Sequence, residues 1–248
     1  KAITEVGVCQ DRLTSFYSYY NYSIMFKKLL KKKAEEFPPD FEKLHIETIQ
    51  MVRKETMTSP ERIFSLIEAT KYIISSGIEG DIVECGVWRG GSVMAILNVL
   101  KEVRSWDKHI YLYDTFDGMS EPTAEDVSID GNSAKELLNE SKKDDQNVIW
   151  AYSGMEVVKK NIFSIGYDPE KIHFVQGKVE DTIPATIPEK ISLLRLDTDW
   201  YESTKHELEH LFPRLSKGGI LILDDYGHWQ GARKAADEYF NNNHISIF

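Results

Sequence analysis

From residue 81 onward the chain alternates short apolar runs with longer stretches whose apolar positions recur every three or four residues. DIVECGV, HIYLYD, KIHFVQGKV, ISLLRLD and GGILILDD are the apolar runs, each of a length suited to a strand covered on both faces. Helical periodicity fills the gaps: GGSVMAILNVL, then residues 155–165, 206–215 and 230–243, after which ISIF opens a sixth strand. Such alternation predicts an α/β domain with a mostly parallel sheet and helices on both faces. Right-handed crossovers then bring the C-terminal ends of the strands to one edge. Ahead of this region the pattern predicts a helix over 41–54. A second helix comes next, with Ser59 as N-cap, Pro60 at its first position and Gly77 past its end.

Residues 17–37, YSYYNYSIMFKKLLKKKAEEF, form a basic-faced aromatic segment that stops at Pro38–Pro39. It is expected to be a helix on its own domain or on a partner subunit of a homo-oligomer, in preference to a membrane anchor. The chain therefore divides into an N-terminal helical extension over 1–55, a lid or oligomerisation segment, and a domain over 56–248.

Composition narrows the function classes. A formal net charge of −10 over 248 residues argues against nucleic-acid binding, which wants a basic face. Cys9 and Cys85 lack CxxC spacing, which fits a reducing cytoplasm. No apolar run is long enough to span a membrane. The chain starts on Lys1, so a longer N-terminus is expected.

The chemistry concentrates where strands end. ECGVWRGGS (84–92) closes the first strand and opens the following helix, and its glycines allow close backbone approach. It is not the GxGxxG of a dinucleotide domain, and Glu84 would repel a pyrophosphate. An ammonium or sulfonium would be attracted instead. A nicotinamide dehydrogenase is disfavoured on both counts. Asp114, at the end of the second strand, is placed to accept hydrogen bonds from ribose hydroxyls. LDTDWYES (196–203) and LILDDYGHW (221–229) each run from apolar residues into two acids and then aromatics. Two such pairs at neighbouring strand ends suggest a site for a hard divalent cation, formed by Asp197, Asp224 and Asp225, whose charges repel without one. Asp199 lies on the same side as Asp197. It has two uses open to it, a general base or the cap of a helix starting near Glu202. His228 is a second candidate base. Trp200, Tyr201, Tyr226 and Trp229 are either a wall for the acceptor or core.

ECGVWRGGS, YDTFDGM, LLRLDTDWYEST and GGILILDDYGHWQGARKA together resemble the macrocin O-methyltransferase family over roughly residues 50–245. The resemblance implies a Rossmann-like class I methyltransferase fold and a Mg²⁺-dependent transfer from S-adenosylmethionine to a hydroxyl, with a sugar diol of a natural product as the expected acceptor. It implies cofactor contacts at Glu84, Gly86, Trp88, Gly90, Gly91 and Ser92, further contacts at Asp114, Thr115, Phe116 and Val179, and Thr58 at the methionine end. The metal falls to Asp197, Asp224 and Asp225, and Asp199 becomes the base. The family fold adds a strand beyond Phe248, so a longer C-terminus is expected too. The rival readings are a catechol or polyketide hydroxyl as acceptor, and a nucleotide-binding module without catalysis.

Overall fold

In the computed structural model, residues 37–144 and 149–246 are described. The basic aromatic segment lies outside them except for Phe37, as do the last two residues of ISIF. Ile245 and Ser246 are irregular. The chain divides into two compact units, Lys1–Phe41 and Glu42–Phe248, and the sheet lies in the second.

Five parallel strands form this sheet: β1 (Asp81–Cys85), β2 (Ile110–Asp114), β3 (Ile172–Gln176), β4 (Ile191–Leu196) and β5 (Leu215–Leu223), in the order β3-β2-β1-β4-β5. The chain builds outward from β1 in one direction and then restarts at β4 in the other. The switch point therefore falls between β1 and β4, where open parallel sheets bind ligands.

Among the described residues the helices are α1 (Lys43–Val52), α2 (Pro60–Ser75), α3 (Gly91–Glu102), α4 (Ala134–Glu140), α5 (Met155–Phe163), α6 (Val179–Thr182), α7 (Tyr201–His210) and α8 (Gln230–Asn242). Ser59 caps α2 as expected, its side chain accepting from the amide of Arg62 at 3.4 Å, with Pro60 opening the helix. Helices α1, α2 and α3 pack together, and α2 also meets β4 and β5. On the other face Leu208 and Leu211 from the α7 region and Ala236 and Phe240 of α8 join Val83, Cys85, Leu194 and Leu196 in one apolar core. Strand alternation turns Glu84 and Arg195 the opposite way, toward α2.

Three boundaries differ from expectation. The helix expected to start near Glu202 and run through 206–215 starts at Tyr201 but stops at His210; Phe212–Arg214 tighten into a 3-10 turn around Pro213, which cannot continue an α-helix. β5 then takes Leu215. The run KIHFVQGKV leaves the sheet at Gln176, and Val179 opens a single helical turn. The polar stretch after the loop over 115–131 contains α4, whose Ala134 and Leu138 are buried against Trp200 and Trp229.

Candidate functional site

The edge formed by the ends of β1, β2, β4 and β5 carries a cleft of about 370 Å³. Thr58, Glu84, Gly86, Trp88, Gly91 and Ser92 line it, with Asp114, Thr115, Val179, Asp197, Asp199, Asp224 and Asp225. Gly90 and Phe116 do not reach it. Gly90 is the left-handed N-cap of α3. Phe116 is buried, and its amide donates to Asp114 Oδ1 at 2.6 Å.

Glu84 pairs in register with Arg195 across β1 and β4, and the two side chains form a buried ion pair. Glu84 Oε1 takes the guanidinium, while Oε2 is buried without a partner. Burial pushes the Glu84 pKa up to about 8, against the pull of Arg195. Arg195 also reaches Asp197 Oδ2 at 2.7 Å, Asp224 Oδ2 at 3.1 Å and the Thr58 hydroxyl at 3.1 Å. Burial opposes its charge, but Asp197, Glu84 and Asp224 outweigh burial and raise its pKa. A basic residue inside a strand buried on both faces must find acids, so the Arg in LLRLD was the available sign of this hub. Arg62, from the first turn of α2, adds a second guanidinium on Asp224 Oδ2 at 2.9 Å.

Asp114 is occupied by the neighbouring turn. Its Oδ2 accepts from the amides of Val87 at 2.7 Å and Trp88 at 3.1 Å. Burial raises its pKa despite these donors. An ionised carboxylate accepts about four hydrogen bonds in all, so ribose hydroxyls would share it with the turn it braces.

Gly86 has φ +81°, and a Cβ there would lie 1.9 Å from the carbonyl oxygen of Asp197. The backbone of the glycine turn thus rests directly on the backbone that carries the acids. Asp197, Asp199 and Asp225 each offer a carboxylate oxygen within 4.8 Å of the others, and Asp225 Oδ2 is buried without a partner. Burial is the first cause that lifts all three: Asp199 to about 7, Asp197 and Asp225 well above the ordinary carboxylate range. Oxygen-only donors with an orphaned buried oxygen match what a hard cation takes. Of the three acids expected to take the metal, Asp197 and Asp225 converge here together with Asp199, while Asp224 lines the same cleft with its Oδ2 on Arg62 and Arg195.

Asp199 does not cap α7. The N-cap is Trp200, which has no side-chain cap bond, and Asp199 itself is left-handed with φ 68°. That conformation costs a non-glycine residue about 1–2 kcal/mol. Capping falls instead to Asp126, a residue missed in the sequence. It is buried in the loop over 115–131, and its Oδ1 accepts from the Tyr201 amide at 2.7 Å. The same loop fastens to the stretch before α8: the Ile129 amide donates to His228 O at 2.8 Å and the Gln230 amide to Val127 O at 2.9 Å. His228 is exposed at the rim, edge-on to Trp229. Trp200 and Trp229 pack edge to face in the core, and the Tyr201 and Tyr226 hydroxyls bond Glu238 and Asp237. Of these four aromatics only Trp229 lines the cleft.

A parallel sheet in this order, with its cleft at the switch point, is the architecture of class I methyltransferases, and the family match makes the chain an O-methyltransferase. It belongs to the macrocin O-methyltransferase family, whose model matches residues 22–247. Among curated relatives, the 8-demethyl-8-(2,3-dimethoxy-alpha-L-rhamnosyl)-tetracenomycin-C 4'-O-methyltransferase of Streptomyces olivaceus is 33% identical over 191 residues, 77% of this chain and 69% of that protein. The mycinamicin III 3''-O-methyltransferase of Micromonospora griseorubida is 30% identical, covering 77% of this chain and 72% of its own. The solved O-methyltransferase NovP superposes with a TM-score of 0.66 at 30% identity, over 78% of this chain and 76% of that one. Among the described residues no helix is long and apolar enough to cross a membrane.

Proposed function

We propose that this enzyme methylates a hydroxyl on the sugar of a glycosylated natural product, using S-adenosylmethionine and Mg²⁺. The observation that carries the reading is the convergence of Asp197, Asp199 and Asp225 in the same cleft as the unpartnered Glu84 Oε2. The relative named for O-methylation of a rhamnosyl compound supports the acceptor class. When bound, S-adenosylmethionine supplies an electrophilic methyl group and Mg²⁺ supplies Lewis acidity that eases loss of the acceptor proton.

The residues divide the work. Glu84 Oε2 receives the cofactor's ammonium, and Thr58 lies beside it through Arg195. Asp114 takes ribose hydroxyls. Gly86, Trp88, Gly91 and Ser92 would bring backbone close to the cofactor, with Gly90 opening α3 and Phe116 holding Asp114, while Thr115 and Val179 line the same cleft. Asp197 and Asp225 would hold the cation, and Asp224, which lines the same cleft, would complete the set of acids around it. Asp199 accepts the proton of the acceptor hydroxyl, as a carboxylate in the same cleft can. An acceptor with two adjacent oxygens would suit this arrangement, since such a pair could chelate a hard cation.

The test is mass spectrometry of products after incubation with cofactor, Mg²⁺ and a panel of glycosides and phenols. A gain of one methyl on a glycoside, abolished by EDTA and restored by Mg²⁺, is expected. Methylation of phenols alone would move the acceptor class to the catechol reading, and full activity after exhaustive chelation would remove the cation.

A further inference from the structure

On the sheet face opposite Glu84, a second acid is buried that the proposed chemistry does not use. Glu207, in α7, is completely buried. Its Oε2 accepts from the Thr198 hydroxyl at 3.1 Å, and its Oε1 has no hydrogen-bond partner. The Cys85 thiol lies against it, and the charged groups it feels most are two more acids, Glu180 and Asp225. An acid in these surroundings destabilises the fold relative to an apolar side chain of similar size. Packing therefore does not account for it.

Thr198 is the residue between Asp197 and Asp199. Its carbonyl accepts from the Trp200 amide at 2.8 Å, closing a tight turn around Asp199, whose backbone is left-handed. Strained residues persist where their surroundings over-determine them. The two flanks of this turn are fixed: Asp197 through its amide to Cys85 O at 2.9 Å, and Tyr201 through Asp126. Between them, the hydrogen bond from Thr198 to Glu207 ties the turn to the helix beneath it.

We infer that Glu207 is a positioning residue: through the Thr198 hydroxyl it locks the left-handed turn that aims Asp199 at Asp197 and Asp225. The inference rests on the reading of Asp199 as base, but the lock itself is measurable without turnover. Glu207→Met fills the space and removes the acceptor. Thr198→Val removes the donor. Glu207→Gln keeps a carbonyl for Thr198 and serves as the rescue.

Amide hydrogen exchange on the ligand-free proteins reads the lock. The Trp200 amide is expected to exchange about ten-fold faster or more in Glu207→Met and Thr198→Val, and at the parent rate in Glu207→Gln. Turnover should fall by about 10- to 100-fold in the first two, with the KM for S-adenosylmethionine unchanged, as for a misaimed catalytic group. The double variant should be no worse than either single one. Glu207→Met should melt at or above the parent temperature, which a merely structural acid would not allow. If Glu207→Met fails to fold, Thr198→Val carries the same comparison. Parent-rate exchange at Trp200 in the variants overturns the lock whatever reaction the cleft performs. Parent turnover with a loosened turn overturns its role in positioning Asp199. A parent protein with an intact lock and no methyl transfer would count against the functional reading instead.

Discussion

Arg195 is the residue on which the charge balance of the cleft depends. It faces Glu84, Asp197 and Asp224 from within a strand whose other side chains are mostly apolar. Arg195→Met should leave those carboxylates without their buried counter-charge, and breaking such a group typically costs about 3–5 kcal/mol. Denaturant unfolding of the two proteins checks this; an unchanged midpoint would mean the acids rearrange freely. Asp197 and Asp199 separate two roles in the same turn. Asp199→Asn should keep cofactor affinity, by calorimetry, while turnover falls by about 10²–10⁴-fold, the usual contribution of a positioned base. Asp197→Asn should weaken Mg²⁺ binding as well. If Asp199→Asn turns over normally, attention passes to His228. The acids themselves were readable in the sequence because a strand end followed by an acid is a local pattern. Their partners were not. Arg195 lies 111 residues from Glu84, and only the register of β1 against β4 brings the two together.

At the scale of elements, the fastening of the loop over 115–131 has a measurable cost when removed. Asp126 accepts from Thr123 twice and from the first amide of α7, and a Cβ on Gly231 at the start of α8 would come 2.1 Å from its Oδ1. Asp126→Ala should lower stability by about 1.5–3 kcal/mol, the range for charge-assisted hydrogen bonds, and Gly231→Ala should act in the same direction. Thermal unfolding tests both. A second element-scale effect sits at the opposite end of the sheet, where His109 and His173 meet ring to ring between β2 and β3, their nitrogens 2.8 Å apart. Burial, then the neighbouring His109, depress the His173 pKa below 6.5, while Asp81 opposes. The folded state favours neutral His173, so this stabilisation is present above pH 6.5 and is lost as pH falls through the folded value. The loss of stability as pH falls below 6.5 should therefore be blunted in His173→Phe, read by denaturant unfolding across the pH range. The five strands were legible because runs of apolar residues bounded by glycines and acids have few other uses. The end of α7 was not, since Leu211 and Leu215 continue a helical spacing that Pro213 interrupts. Nor was α4, whose few apolar positions matter only against Trp200 and Trp229.

For the molecule as a whole, the balance is acidic, with a net charge of −10, and part of that excess is gathered in one place. A divalent cation relieves repulsion that the folded state bears and an unfolded chain does not. Millimolar Mg²⁺ should accordingly raise the melting temperature of the parent, and much less that of Asp225→Asn; equal shifts in both would place the cation elsewhere. The contact of Gly86 on the carbonyl of Asp197 has a consequence for redesign of the enzyme. Peptide touches peptide there, with no side chain between to be shortened or swapped, so the spacing from donor turn to acid row is a fixed gauge. Anyone seeking to change which compound is methylated would leave that gauge alone and recut the exposed rim of the loop from Thr115 to Gly131, sparing Thr115, Phe116 and Asp126, which brace the site.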